Sequence, residues 1–90
     1  MLTLKTTARF RSDYKRVKKR GYDMPLLEAV IDTLLEEKPL DPVHRDHALQ
    51  GRFAALRECH VKDDWLFVYR IDRETLILAA SYTGTHEDIF

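Results

Sequence analysis

The stretch RFAALRECHVKDDWLFVYRIDRETLILAASY, residues Arg52–Tyr82, decides the fold. It divides into three strand-like runs, Arg52–Val61, Trp65–Ile71 and Thr75–Tyr82. The links between them, Lys62-Asp63-Asp64 and Asp72-Arg73-Glu74, are short and polar, which predicts an antiparallel meander closed by tight hairpins. Successive side chains of a strand point to opposite faces. In the first run, Phe53, Ala55, Arg57, Cys59 and Val61 therefore share one face, and Leu56, Glu58 and His60 share the other.

Before the meander lies Pro39–Gly51, a connecting segment with two prolines, two histidines and no clear period, the kind of loop that tends to carry function. Further upstream, Leu27, Val30, Ile31, Leu34 and Leu35 form one apolar stripe, predicting a helix that ends near Lys38-Pro39. Asp23 stands at its N-cap position and Pro25 in its first turn. Phe10, Tyr14 and Val17 recur at helical spacing between Ala8 and Arg20, with Gly21 as the stop. Leu2-Thr3-Leu4 reads as a short first strand. The predicted class is α+β: one domain over residues 1–90, ordered β-α-α-β-β-β, with a mainly antiparallel sheet packed against helices.

Composition supports a compact globular chain. Of 90 residues 44% are hydrophobic, with three glycines and three prolines. No unbroken apolar run is longer than Trp65–Tyr69, which is far below the ~20 residues of a membrane helix, so no membrane partner is expected. The N-terminus lacks the apolar stretch of a secretory signal. Cys59 is the single cysteine, which points to a reducing cytoplasm. The formal net charge is zero but segregated. Through Tyr22 there are eight basic residues against one acid, Asp13, a net of +7 that the remainder offsets with −7. Such a field attracts phosphate, although charge runs commonly form only a solvated helix face.

The candidate chemistry lies in the C-terminal half. Glu58 and His60 project from one face of a strand, and Asp64 sits in the hairpin just beyond. In an antiparallel meander the end of the third strand lies beside that hairpin, which brings His86 near Asp64 and His60. His47 has to reach them from the preceding loop. Histidine, with an unperturbed pKa of ~6.5, offers both protonation states near neutrality. Cleavage of RNA by internal attack needs a base for the 2′-hydroxyl proton, an acid for the leaving 5′-oxygen, and positive charge against the phosphate. Two or three histidines with an orienting acid meet the proton-transfer requirement without a metal or any other cofactor. His44, His47, His60 and His86 could alternatively supply four zinc ligands, but His-x-x-His is a weak signal and this reading ranks lower. A Cys59 nucleophile ranks lower still, because its parity turns it to the apolar side.

Four ordered motifs then stand out: Asp46-His47-Ala48-Leu49-Gln50-Gly51, Arg57-Glu58-Cys59-His60-Val61, Asp64-Trp65, and Thr83-Gly84-Thr85-His86 followed by Asp88-Ile89-Phe90. Carrying them, the chain resembles the YafQ branch of the RelE-like toxins, the mRNA interferases of type II toxin–antitoxin systems. The resemblance implies a small sheet with helices on one side and an endoribonuclease that cuts mRNA in the A site of the 70S ribosome. It implies a cognate antitoxin, a DinJ- or RelB-like ribbon-helix-helix protein, through which alone operator DNA would be bound. It places His47, Glu58, His60, Asp64 and His86 at catalytic positions: His86 as general acid, His60 or His47 as base, Asp64 as orienter. Phe90 would stack on a base, a contact worth ~1–3 kcal/mol. Two positions depart from the pattern. Glu58 replaces the usual aspartate, and Tyr82 stands where many relatives carry an arginine. Tyr82 would still face the RNA, and Lys62, Arg70 or Arg73 would supply the missing charge; otherwise activity is reduced. The alternative is a catalytically weak homologue that serves mainly as a binding and regulatory partner of its antitoxin.

Overall fold

The computed structural model describes residues 1–90. Its elements are β1 (Thr3–Thr6), α1 (Ala8–Lys19), α2 (Met24–Leu35), a 3-10 turn at Pro42–His44, β2 (His47–Ala48), a 3-10 turn at Gly51–Phe53, β3 (Arg57–Lys62), β4 (Trp65–Asp72), β5 (Ile77–Gly84) and α3 (His86–Ile89). One five-stranded sheet runs in the order β1-β5-β4-β3-β2. The expected meander is present, and β1 closes the far edge by pairing parallel with β5. No helix is long and apolar enough to cross a membrane.

Both long helices form where the apolar spacing put them. The Thr7 side chain caps α1 by accepting from the Phe10 N–H, and Gly21 follows it at φ +84°, a conformation that favours glycine. Asp23 occupies the N-cap of α2, but its side chain makes no capping hydrogen bond. Phe10, Val17, Leu27, Val30, Ile31 and Leu34 pack from the helices onto one sheet face, against Cys59, Phe67, Tyr69, Leu78 and Ala80. Leu66, Val68 and Ile89 form a smaller cluster on the opposite face, beneath Leu49, Leu56 and Tyr82.

Four boundaries differ from expectation. The first strand is Thr3–Thr6 rather than Leu2–Leu4, with Leu2 buried in the core. The first meander strand begins at Arg57, not Arg52, because Gly51–Phe53 coils as a 3-10 turn. Phe53 is thereby freed from the parity of Cys59 and turns to the other side. The last strand is Ile77–Gly84 rather than Thr75–Tyr82. Inside Pro39–Gly51, His47-Ala48 pairs with Glu58-Arg57 as a short edge strand. Two bulges also shift register: Val61 is an extra residue between the His60–Leu66 and Lys62–Trp65 pairs, and Ser81 is extra between Tyr82–Val68 and Ala80–Tyr69. The Ser81 bulge matters most. It reverses parity, so that Ala80 joins the main core while Tyr82 packs on the opposite face.

Asp13 is fully buried. It accepts from Arg9 Nε at 2.9 Å, from an Arg16 guanidinium nitrogen at 2.7 Å and from the Thr83 backbone N–H at 3.1 Å. Thr83, also buried, accepts from Trp65 Nε1 at 2.9 Å and donates to the Leu66 carbonyl at 2.8 Å. A buried carboxylate is tolerated when its oxygens are this well satisfied. Asp13→Ala leaves the Thr83 N–H without an acceptor, and we expect it to cost about 2 kcal/mol, read as a lower urea midpoint. Asp13→Asn, which keeps an acceptor for Thr83, loses less.

Candidate active site

The sheet face opposite α1 and α2 gathers the predicted acids and histidines. His47 on β2, Glu58 on β3, Val68 on β4 and Tyr82 on β5 form one cross-strand row. Glu58 is 4% exposed. Its Oε1 lies 3.7 Å from His47 Nε2 and 3.8 Å from His60 Nε2, so one carboxylate stands between two imidazoles. His47 is placed by its neighbour Asp46, which accepts a 2.5 Å hydrogen bond from the Tyr69 hydroxyl and a two-pronged contact from Arg57 at 3.3 Å. Burial and the bond to Asp46 raise the Tyr69 hydroxyl pKa, and the same carboxylate raises that of Arg57. Arg57 therefore lies on the apolar face as expected, but in the service of β2.

Carbonyl acceptors fix the imidazoles. The Arg45 carbonyl lies 2.7 Å from His47 Nδ1, so Nδ1 carries the proton and Nε2 is left towards Glu58. The Asp63 carbonyl lies 3.0 Å from His60 Nδ1 and imposes the same tautomer. An Arg45 guanidinium nitrogen approaches that Nδ1 to 3.2 Å. Because a guanidinium only donates and a carbonyl only accepts, the two contacts cannot both be hydrogen bonds, and the shorter one to Asp63 defines the tautomer.

The opposing wall is the C-terminal turn. Asp64 Oδ1 accepts from His86 Nδ1 at 2.5 Å and from its backbone N–H at 3.3 Å, and the His86 ring lies 6.1 Å from that of His60. This is the juxtaposition expected from the hairpin, and the Val61 bulge leaves it intact. The turn is held by α3, in which Thr85 and Asp88 form a capping box. Asp88 also takes two hydrogen bonds from Arg20, at 2.7 and 3.0 Å, while Arg9 donates to its backbone carbonyl at 2.7 Å. The Arg20 pair, reinforced by Thr85, holds the Asp88 carboxyl well below the usual range. At Gly84, φ +146°, a Cβ would come within 2.8 Å of the Asp88 carboxylate, so this turn requires glycine.

Phe90 is half-exposed, 5.2 Å edge-on from Phe53 and 6.2 Å from the His86 ring. Phe53 in turn meets Tyr82 at 6.2 Å, and the Arg9 guanidinium sits 5.0 Å over the Tyr82 ring. Phe90 and Tyr82 thus line one aromatic wall beside the histidines. One of the expected cations lies elsewhere: Arg73 bonds Glu37 at the opposite end of the sheet. Arg70 is two residues beyond Val68 on the same face of β4, away from the hairpin that bears Asp64, and approaches Asp72 to 3.9 Å. Lys62 is exposed and lines a cleft with Asp63, Asp64 and Thr85.

The zinc set does not assemble. His44 donates Nδ1–H to the His60 carbonyl at 2.6 Å, tying the 3-10 turn to β3, and no three His, Cys, Asp or Glu side chains converge as a metal site. Cys59 is buried and burial pushes its thiol up to about 12, the opposite of what a nucleophile needs. Residue types alone did not single out Arg45, Asp46, Phe53 or Asp13. For Asp13 a signal existed, since it stands three residues after Phe10 and four before Val17, on the apolar face.

The whole chain is similar to a known group of proteins. Residues 2–90 match the family model described as bacterial toxin of type II toxin-antitoxin system, YafQ. The mRNA interferase toxin YafQ of Escherichia coli strain K12 is 33% identical over 85 residues, 93% of this chain and 90% of that protein. A metal-bound toxin from Helicobacter pylori superposes with a TM-score of 0.94 at 40% identity, covering 100% of both chains. In the E. coli DinJ-YafQ complex, the matching chain superposes at 0.90 with 31% identity, over 100% of this chain and 99% of that one.

The His86 contacts hold Asp64 below the ordinary carboxylate value of ~3.9. A depressed acid keeps its charge, and its hold on His86, at every pH above that value and loses it only as pH falls through the folded pKa. Carbon-detected NMR titration is therefore expected to place the Asp64 midpoint below that of an ordinary aspartate, and His86→Ala to return it upward.

Proposed function

The chain belongs to the YafQ family of type II toxins and is an mRNA interferase, an endoribonuclease; from that premise we propose that it cuts translated mRNA in the ribosomal A site by metal-free attack of the ribose 2′-hydroxyl. The observation that carries the mechanism is Glu58 held between His47 Nε2 and His60 Nε2, with His86 facing them from a separately anchored turn.

His60 or His47 takes the 2′-hydroxyl proton at Nε2, the nitrogen left free by the carbonyl at Nδ1. Glu58 stabilises the imidazolium that forms, a role for which a buried carboxylate at this distance is suited. The 2′-oxygen bonds to phosphorus, and the bond from phosphorus to the 5′-oxygen breaks. His86, with Nδ1–H engaged by Asp64, delivers a proton from Nε2 to the departing 5′-oxygen. Phe90 offers its exposed face to a base, with Tyr82 and Phe53 backing it. We assign the activity to the cytoplasm, where translating ribosomes are. Its partner is a DinJ-like antitoxin of the ribbon-helix-helix kind, and operator contact would pass through that antitoxin. Tyr82 supports a second reading, a catalytically weak toxin that mainly binds its antitoxin, since a phenol brings no charge to the phosphate. A purified chain that leaves mRNA intact on programmed ribosomes would favour that second reading.

On the first reading, His86→Ala slows mRNA cleavage by about 10²–10⁴-fold and abolishes growth arrest on induction, with the circular dichroism spectrum unchanged. A folded mutant as toxic as its parent would remove His86 from the mechanism.

A further inference from the structure

We infer that Arg45 is the cation that meets the scissile phosphate in this chain, in place of the charge that Tyr82 lacks; this rests on the ribonuclease reading above. As the 2′-oxygen attacks, negative charge grows on the non-bridging phosphate oxygens, and a site without a metal needs a fixed cation there. Of the other arginines, Arg9 and Arg16 are bound to Asp13, Arg20 to Asp88, Arg57 to Asp46 and Arg73 to Glu37, while Arg11 bonds Thr6. Arg70 approaches Asp72 only to 3.9 Å and Arg52 lies over the Phe53 ring, and neither touches a histidine.

Arg45 has no carboxylate partner, is exposed, and reaches within 3.2 Å of a catalytic imidazole. Its placement is built into the backbone. It caps the Pro42–His44 turn at φ +47°, its N–H donates to the Pro42 carbonyl, and its own carbonyl accepts from His47. The residue therefore cannot drift from the two histidines, while its side chain stays free to leave His60 for an incoming phosphate. A guanidinium presents paired N–H donors to two phosphate oxygens, a geometry that lysine cannot reproduce.

The test is single-turnover cleavage on programmed ribosomes by the parent chain, Arg45→Ala and Arg45→Lys, alongside ribosome affinity and thermal midpoint. Arg45→Ala is expected to cleave about 10²–10³-fold more slowly, with affinity and midpoint unchanged and with lysine intermediate. Added guanidinium chloride, kept below denaturing levels, should restore part of the rate to Arg45→Ala and none to His86→Ala. A parental rate in Arg45→Ala overturns the inference, as does slowing that guanidinium does not relieve. If the parent chain itself fails to cleave, the ribonuclease reading falls, and Arg45 is judged by binding of a 2′,3′-adenosine–vanadate complex. Weakening by about tenfold or more in Arg45→Ala supports the phosphate role, and equal affinity overturns it.

Discussion

A single buried carboxylate organises this fold. Asp13 is the one acid in a strongly basic segment, and burial obliges it to be satisfied on every side. Two arginines of its own helix meet it, and so does the backbone N–H of Thr83. The last contact crosses from α1 to the end of β5, where the chain is about to leave the sheet. Thr83 continues the network to Trp65 and Leu66 on β4. The carboxylate thus clamps the strand ends from which both the Asp63-Asp64 hairpin and the His86 turn project.

The charge segregation of the sequence has a mainly structural use near the site. Arg9 and Arg20 reach from α1 to α3, one holding the Asp88 carbonyl and the other its carboxylate. α3 is only four residues long and would not persist alone. It is held by this fork, by its capping box and by Ile89 packed on Leu66 and Val68. Lys15, Lys18 and Lys19 have no carboxylate within reach and remain a solvated positive face. The site therefore has two walls with separate anchors, His47, Glu58 and His60 on the sheet edge and His86 with Phe90 on the turn.

Much of this was legible in the residues. Helical spacing located α1 and α2, and the short polar links located the meander, because local hydrophobic periodicity is a strong signal over such lengths. Strand parity put Glu58 and His60 together and turned Cys59 away, while antiparallel pairing brought His86 to Asp64. The positions of Phe53, Asp46 and Arg45 were not legible. Phe53 depends on a 3-10 turn with no periodic signature, Asp46 on a tyrosine 23 residues away, and Arg45 on a left-handed backbone at an arginine. Such features arise from contacts distant in sequence, which local pattern does not encode.

The amino-acid sequence by itself determined the element types, the face of β3 that bears the acid and the histidine, and the ordered motifs that mark the family. It did so because periodicity and residue chemistry are local properties. Tertiary structure alone decided how those faces meet. One extra residue, Ser81, turns Tyr82 into the row of His47, Glu58 and Val68, since a single insertion in a strand exchanges its two faces. Paired contacts likewise decided which cations are free. Six of the nine arginines face carboxylates, two of them, Arg20 and Arg73, across long stretches of chain, and Arg45 is left beside His60.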